Sequence, residues 1–238
     1  VGKKRTQFVI HKKLLCNTTD FFLKAFGGSF KESEGIMHLQ DEHPGAFSLF
    51  VNWLYRSRIS HVSTARHWVD LFNLYIFAEK LCLNELANRT IDRIRHMEAC
   101  SSLDIVTIAL TIHVYKKTFA DSPLRQYCVE ALAYDLSREA MEQHIPVDDR
   151  LKQIWEYSRD DCDFFVDYFR YLREHRGEDL ETPAAVGVEV GDEYNSEMLN
   201  CRFHRHAKGE ECYNGKSGFD ISAWASQIDI EDIKNFSE

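Results

Sequence analysis

Residues 8–33 read FVIHKKLLCNTTDFFLKAFGGSFKES, and the reading of this stretch decides the fold. Phe8, Val9 and Ile10 favour a strand, because β-branched and aromatic side chains suit a pleated, half-buried surface. His11-Lys12 turns the chain into a short helix through Leu14 and Leu15. Asn17-Thr18-Thr19-Asp20 then offers side-chain oxygens to cap a second helix. Phe21, Phe22, Ala25 and Phe26 are the apolar positions of that helix, and Gly27-Gly28 stops it. A strand running into two apolar helices predicts the centre of a small α+β domain.

Working outward, Val1-Gly2 reads as a strand end and Lys3 to Gln7 as a polar turn, so residues 1–10 are expected to form a hairpin. Ile36-Met37-His38-Leu39 suits another short strand. Pro44 opens a helix, since a first turn needs no N–H there, and Asp41 and Glu42 favour its positive end. Phe47, Phe50, Val51 and Leu54 follow at helical spacing. Trp68, Leu71, Phe72, Tyr75, Ile76 and Ala78 make one wide apolar face, and Asn84 caps the next helix. There Leu86, Ala87, Ile91 and Ile94 face the core, while Arg89, Asp92, Arg93 and Arg95 are expected to form a solvated face.

Further helices are expected over residues 101–119, from Ser122-Pro123 onward, within 149–157 and over 161–175, the last with Phe165, Phe169 and Leu172 along one side. From Gly177 the periodicity is lost. Residues 178–193 are acidic and punctuated by Pro183, Gly187 and Gly191, which reads as a linker. Residues 194–238 hold a Cys/His cluster and then Trp224, Ile228, Ile230 and Ile233, a candidate short amphipathic helix.

The composition sets limits. The chain has 238 residues, 44% hydrophobic and 13% aromatic, enough for one or two compact units. No run approaches the roughly 18 apolar residues of a membrane span, and the start VGKKRTQ has no apolar signal region. Cys16, Cys82, Cys100, Cys128, Cys162, Cys201 and Cys212 are scattered and odd in number. That pattern predicts buried free thiols in a reducing compartment, cytoplasmic or nuclear. Residues 1–99 carry a net charge of +4 and residues 100–238 one of −13. An acidic second half argues against nucleic acid or an anionic membrane as partner.

Motifs carry the reading further. Phe8-Val9-Ile10-His11-Lys12 with Leu15, Asp20-Phe21-Phe22, Phe30-Lys31-Glu32-Ser33, Phe50-Val51 with Trp53-Leu54-Tyr55, and Leu74-Tyr75 with Ala78-Glu79-Lys80 follow one another in order. In these residues the chain resembles a BTB/POZ domain over residues 1–97. The Trp-Leu-Tyr form, with Ser122-Pro123-Leu124-Arg125 downstream, is similar to stand-alone BTB proteins of filamentous fungi. The resemblance implies a small mixed sheet packed on α-helical hairpins. An all-α extension over 98–176 and an acidic, largely irregular tail over 177–238 follow. It also implies a non-catalytic protein-interaction module with protein partners, either a homodimer or a substrate adaptor docking a cullin-RING ubiquitin ligase. Phe30, Lys31 and Glu32 match the segment that lies near the cullin in such adaptors; the plain alternative is that Phe30 packs and Glu32 is solvated. The family's N-terminal helix and first strand, with the Asp that faces the basic residue after the His, are missing from the match. Lys12 is therefore expected to be exposed and, with the turn, to belong to the partner surface.

One constellation has the character of a metal site: Cys201, His204, His206 and Cys212. Four soft or borderline ligands within a dozen residues can close tetrahedrally on zinc, with Gly209 easing the return. His204 and His206 share a face only on extended chain. The alternative is a polar tail turn with two incidental cysteines. A zinc-dependent enzyme or a nucleic-acid binder built on this tail is the competing class; Arg202, Arg205, Lys208 and Lys216 favour it, and Glu210 and Glu211 offset them. His11 beside Cys16 lacks the accompanying base, orienting acid and oxyanion donors of a catalytic site.

Overall fold

Thr19 ends one helix and begins the next. In the computed structural model, which describes residues 1–59, 65–100, 106–142, 152, 154–156, 159, 162–184 and 201–212, helix α1 spans Lys12–Thr18 and α2 spans Asp20–Gly27. The Thr19 side chain accepts the Phe22 N–H at 3.2 Å, and the Gly28 N–H closes the far end on the Lys24 carbonyl at 3.0 Å. Such a cap satisfies an otherwise orphaned donor and contributes about 1 kcal/mol. A tight 3-10 turn, Lys31–Glu34, follows. Helices α3 (Pro44–Arg56), α4 (Ala65–Lys80) and α5 (Asn84–Cys100) complete the first part of the chain.

These helices meet in an aromatic core. Phe22 of α2 stacks on Phe50 of α3 at 6.1 Å between ring centroids. Phe77 of α4 meets Phe47 and Phe50 edge-on at 5.7 and 5.2 Å. Edge-to-face rings add about 0.5–1.5 kcal/mol per pair beyond the area they bury. Phe22, Phe47, Phe50 and Phe77 are all buried, whereas Phe21 and Leu23 of α2 face outward.

The expected small mixed sheet, and with it the α+β class, is corrected: among the described residues there is no strand, and the architecture is helical. The hairpin is reduced to one backbone pair. The Thr6 N–H donates to the Val1 carbonyl at 2.9 Å and the Val1 amino group to the Thr6 carbonyl at 2.7 Å. One further bond, Gly2 N–H to the Leu39 carbonyl at 2.8 Å, touches the second expected strand. A ladder needs several such pairs in register. Within the 8–10 segment, Phe8 finds its packing on a helix instead, edge-on against Phe47 at 4.9 Å. Val9 is 99% exposed, so its backbone is open to water.

Beyond α5, Thr107 caps α6 (Ile108–Tyr115), accepting the Leu110 N–H at 3.2 Å. The helix is shorter than the 101–119 expected, and residues 101–105 lie outside the described ones. Pro123 starts α7 (Pro123–Glu142) as its position after Ser122 predicts. Leu124, Tyr127, Cys128, Ala131 and Leu132 are buried along it. The guanidinium of Arg125, itself buried, donates to the Tyr115 and Thr118 carbonyls at 2.6 Å each, closing the end of α6. Of the helix expected within 149–157, residue 152 and residues 154–156 are helical; the remainder lies outside the described residues.

In helix α8 (Asp163–Glu174), Phe165 and Leu172 of the expected stripe pack against the core, but the deepest residues lie beside them. Phe164 and Tyr168 are buried, four residues apart on one stripe, while Phe169 is 61% exposed. On the deeper side the Asp167 carboxylate accepts the hydroxyl of buried Tyr115 at 2.9 Å. The linker reading also changes at its start, since Ala184 is buried and Leu180 packs on the core. Residues 185–200 and 213–238, including the helix expected around Trp224, lie outside the described residues. Cys16, Cys82, Cys128, Cys162, Cys201 and Cys212 are free thiols, as expected, but only Cys128 is buried. Burial pushes its thiol pKa up. Among the described residues no helix is long and apolar enough to cross a membrane.

Candidate interaction surface and metal centre

The corner at His11 is built by a residue 44 positions away. The Tyr55 hydroxyl accepts the His11 backbone N–H at 3.1 Å and lies 2.6 Å from its Nδ1. This fixes the start of α1 and so aims Lys12. Lys12 is exposed, as expected, and its Nζ donates to the Ser33 carbonyl at 3.4 Å. It also lies 5.8 Å from the centre of the Phe26 ring. Lys12 is thus brought to the turn that holds Phe30, Lys31 and Glu32.

That turn is tied down by its own backbone. Ser33 donates to the Phe30 carbonyl through both Oγ (2.7 Å) and N–H (3.0 Å). Gly28 lies so close that a Cβ there would fall 3.2 Å from Cδ2 of Phe30 and 2.8 Å from the Lys24 carbonyl. The result is an outward-facing aromatic on a hydrogen-bonded turn: Phe30 is 62% exposed. Lys31 is exposed and Glu32 half-buried. Phe21, Leu23 and Ile36, from the same stretch, are exposed as well.

The second candidate centre lies in the tail. Ligand-type atoms of Cys201, His204, His206 and Cys212 all fall within 4.8 Å of one another. The chain reaches this arrangement through a turn closed by the His204 N–H on the Cys201 carbonyl at 3.0 Å. A second turn, from the Glu210 N–H to the Ala207 carbonyl at 2.9 Å, carries Gly209 at φ +81° and brings Cys212 back. A positive φ is where glycine costs least. The His204 and His206 rings lie edge to face at 5.7 Å, so the two do share a side of the chain.

Helix α5 supplies the wall. The expected solvated face of α5 is corrected here: Arg93 and Arg95 are buried. Residues 201–206 lie on part of this face. His204 Nε2–H donates to Asp92 Oδ2 at 2.9 Å, and Arg95 donates to Asp92 Oδ1 at 3.1 Å. The Arg205 N–H donates to Asn88 Oδ1 at 2.9 Å, and Asn88 Nδ2 donates to the Arg205 carbonyl at 3.0 Å. Phe203 is fully buried, edge-on to Tyr127 of α7 at 5.3 Å. Arg202 pairs with the buried Glu130 of α7 at 2.7 Å. Arg205 pairs with Glu79 of α4 at 3.3 Å. Burial raises the Glu79 carboxyl above the usual carboxylate range, and the Arg205 charge opposes that shift.

Residues 1–97 match the family model of the BTB/POZ domain. The chain carries a BTB/POZ domain. A BTB/POZ domain indicates a protein-interaction module; Lys12 opens α1 and Phe30 stands at the turn after α2. No curated protein and no solved structure matches the chain.

The tail therefore docks on the BTB domain through Glu79, Asn88 and Asp92, and on the following helices through Tyr127 and Glu130. Sequence reading grouped the four Cys and His residues but missed these five partners and Phe203. The one signal available was Phe203 itself, a large apolar residue alone in a polar segment. The Arg/Asp face of α5 carries no mark that distinguishes a docking face from a solvated one.

Proposed function

We propose that the chain is a non-catalytic adaptor whose BTB domain offers Phe30, Lys31 and Glu32, flanked by Lys12, to a cullin-type partner. The observation that carries this is Phe30, a large aromatic held 62% exposed on a turn closed by Ser33. An exposed aromatic carried on a turn already closed by hydrogen bonds offers apolar area with little backbone ordering on binding, and aromatic residues are frequent anchors of interfaces. Docking the client then falls to the helical extension or the tail. The test is co-purification of the full chain with a panel of cullin N-terminal domains. Binding lost in Phe30→Ala/Glu32→Ala, with unchanged helical circular dichroism, supports the reading. No binding by the wild-type chain to any member sinks it.

A homodimer without a ligase link is the second reading, favoured by Val9. This residue is 99% exposed within a β-prone run that has no ladder partner among the described residues. Such a run offers itself to strand addition by a second copy. Light scattering decides: a dimer that dissociates in Val9→Lys favours this reading, and a monomer at tens of micromolar removes it.

A further inference from the structure

We propose that Cys201, His204, His206 and Cys212 bind a structural zinc ion, which clamps the tail across the junction between the BTB domain and the helical extension. The inference is independent of the partner reading above.

The geometry comes first. Zinc–thiolate and zinc–imidazole bonds of about 2.3 and 2.0 Å, at tetrahedral angles, place sulfur and nitrogen ligands about 3.5 Å apart. Cys212 Sγ and His204 Nδ1 are 3.4 Å apart. All four ligand atoms fall within 4.8 Å, so small side-chain rotations complete the tetrahedron. A thiol–imidazole hydrogen bond alone would explain the Cys212–His204 pair. It does not explain why Cys201 and His206 converge on the same point. Nor does it explain why His206 Nε2 is buried with no hydrogen-bond partner.

The donor set selects the metal. Two thiolates and two neutral imidazoles balance a divalent charge and are soft enough to favour zinc over magnesium or calcium. Four protein ligands leave no open position, which marks a structural rather than a catalytic ion.

The surroundings are those of a metal-bound histidine. Asp92 accepts the Nε2–H of His204 at 2.9 Å, which leaves Nδ1 as the lone-pair nitrogen facing Cys212. A carboxylate behind a histidine fixes its tautomer and ring and raises its basicity as a ligand. Asp92 is itself held by Arg95 at 3.1 Å, and the His204 side chain is fully buried. The ligands also interleave with the docking residues. Arg202, Phe203 and Arg205 sit between or beside them and contact α4, α5 and α7. An ion that closes residues 201–212 into one loop therefore holds all these contacts in register. Metal binding here is coupled to folding of the tail, as in small zinc modules.

The test uses the full chain, purified reduced and without an affinity tag that binds metal. Elemental analysis is expected to find about one zinc per chain. Cobalt(II) in its place should give the visible bands of a tetrahedral dithiolate site. Cys201→Ser/Cys212→Ser should lose both signals, and the control Cys82→Ser/Cys162→Ser should keep them. Should the first pair fail to fold, Asp92→Ala keeps all four ligands and should weaken cobalt binding on the order of 10–100-fold. Chelation should speed hydrogen exchange in residues 201–212 and in α5. A folded, metal-free chain that gives no cobalt spectrum overturns the site, as does a Cys201–Cys212 disulfide in the native protein. Exchange unchanged by chelation overturns the clamp.

Discussion

Asn88 and Arg205, 117 residues apart, hold each other through a closed pair of hydrogen bonds, side-chain amide to backbone amide, at 2.9 and 3.0 Å. An amide side chain that both accepts and donates in this way acts as a one-residue strand partner. It docks the tail on α5 without requiring any regular structure in the tail.

From that pair, Asn88→Ala is expected to destabilise the chain by about 2 kcal/mol, near 1 kcal/mol for each hydrogen bond. The larger effect should be local. Hydrogen exchange of residues 201–212 should rise well above that of α3 and α4. Equal acceleration everywhere would show that the tail is not separately held.

Gly45 touches the side chain of Asp70 across the α3–α4 contact. A Cβ at Gly45 would lie 2.1 Å from Asp70 Oδ1, which is also 2.9 Å from His43 Nδ1. Gly45→Ala should therefore push Asp70 off His43 and splay α3 from α4, at a cost of about 1–3 kcal/mol. A clear drop in Tm is the expected reading, in contrast to Gly27→Ala, where a Cβ meets nothing within 4 Å.

The register of α8 separates two phenylalanines five residues apart. Phe164 is fully buried against Tyr115 and Tyr168, so Phe164→Ala should cost about 3–5 kcal/mol. Phe169 is 61% exposed, and Phe169→Ala should stay within about 0.5 kcal/mol of wild type. Urea unfolding of the two variants checks this difference in depth directly. Similar losses in both would show that Phe169 is held as firmly as Phe164.

His113 makes the stability of the extension depend on acid. Burial, then the charges of Lys117 and His43, hold its imidazole below the ordinary value. Its Nε2 lies 3.0 Å from Asn73 Oδ1. The folded chain thus prefers the neutral ring more strongly than the unfolded chain does. Stability is present above the unfolded pKa of about 6.5 and is lost as the pH falls through the lowered folded value. His113→Gln keeps a hydrogen-bonding end toward Asn73 and does not titrate. Its Tm should fall less than that of wild type between about pH 7.5 and 5.5. Parallel curves would show that His113 does not carry the acid response.

The helices were legible because their signals are local. Thr19, Pro44, Asn84 and Pro123 mark starts that depend on one or two neighbouring residues, and each lies at a helix start in the structure. Phe22, Phe47, Phe50 and Leu71 repeat at the helical period, and all are buried. The sheet was misread because Phe8-Val9-Ile10 states only a propensity. A strand exists when a second chain segment meets it in register, and the backbone bonds near it join Val1 to Thr6 and Gly2 to Leu39 instead. In α8, Phe164, Phe165, Tyr168 and Phe169 offer two adjacent apolar stripes; Phe165 and Leu172 do pack on the core, but which stripe lies deepest depended on Tyr115 and its hydrogen bond to Asp167.

By itself, then, the sequence determined the helical segments, the BTB motifs and the grouping of Cys201, His204, His206 and Cys212 within a dozen residues. All of these are encoded by spacing along the chain. Only the tertiary structure decided that the polar face of α5 is covered, that Asp92 stands behind His204, and that Asn88 takes the tail. Those contacts join residues more than a hundred positions apart, and no local pattern distinguishes a polar side chain that meets water from one that meets a partner.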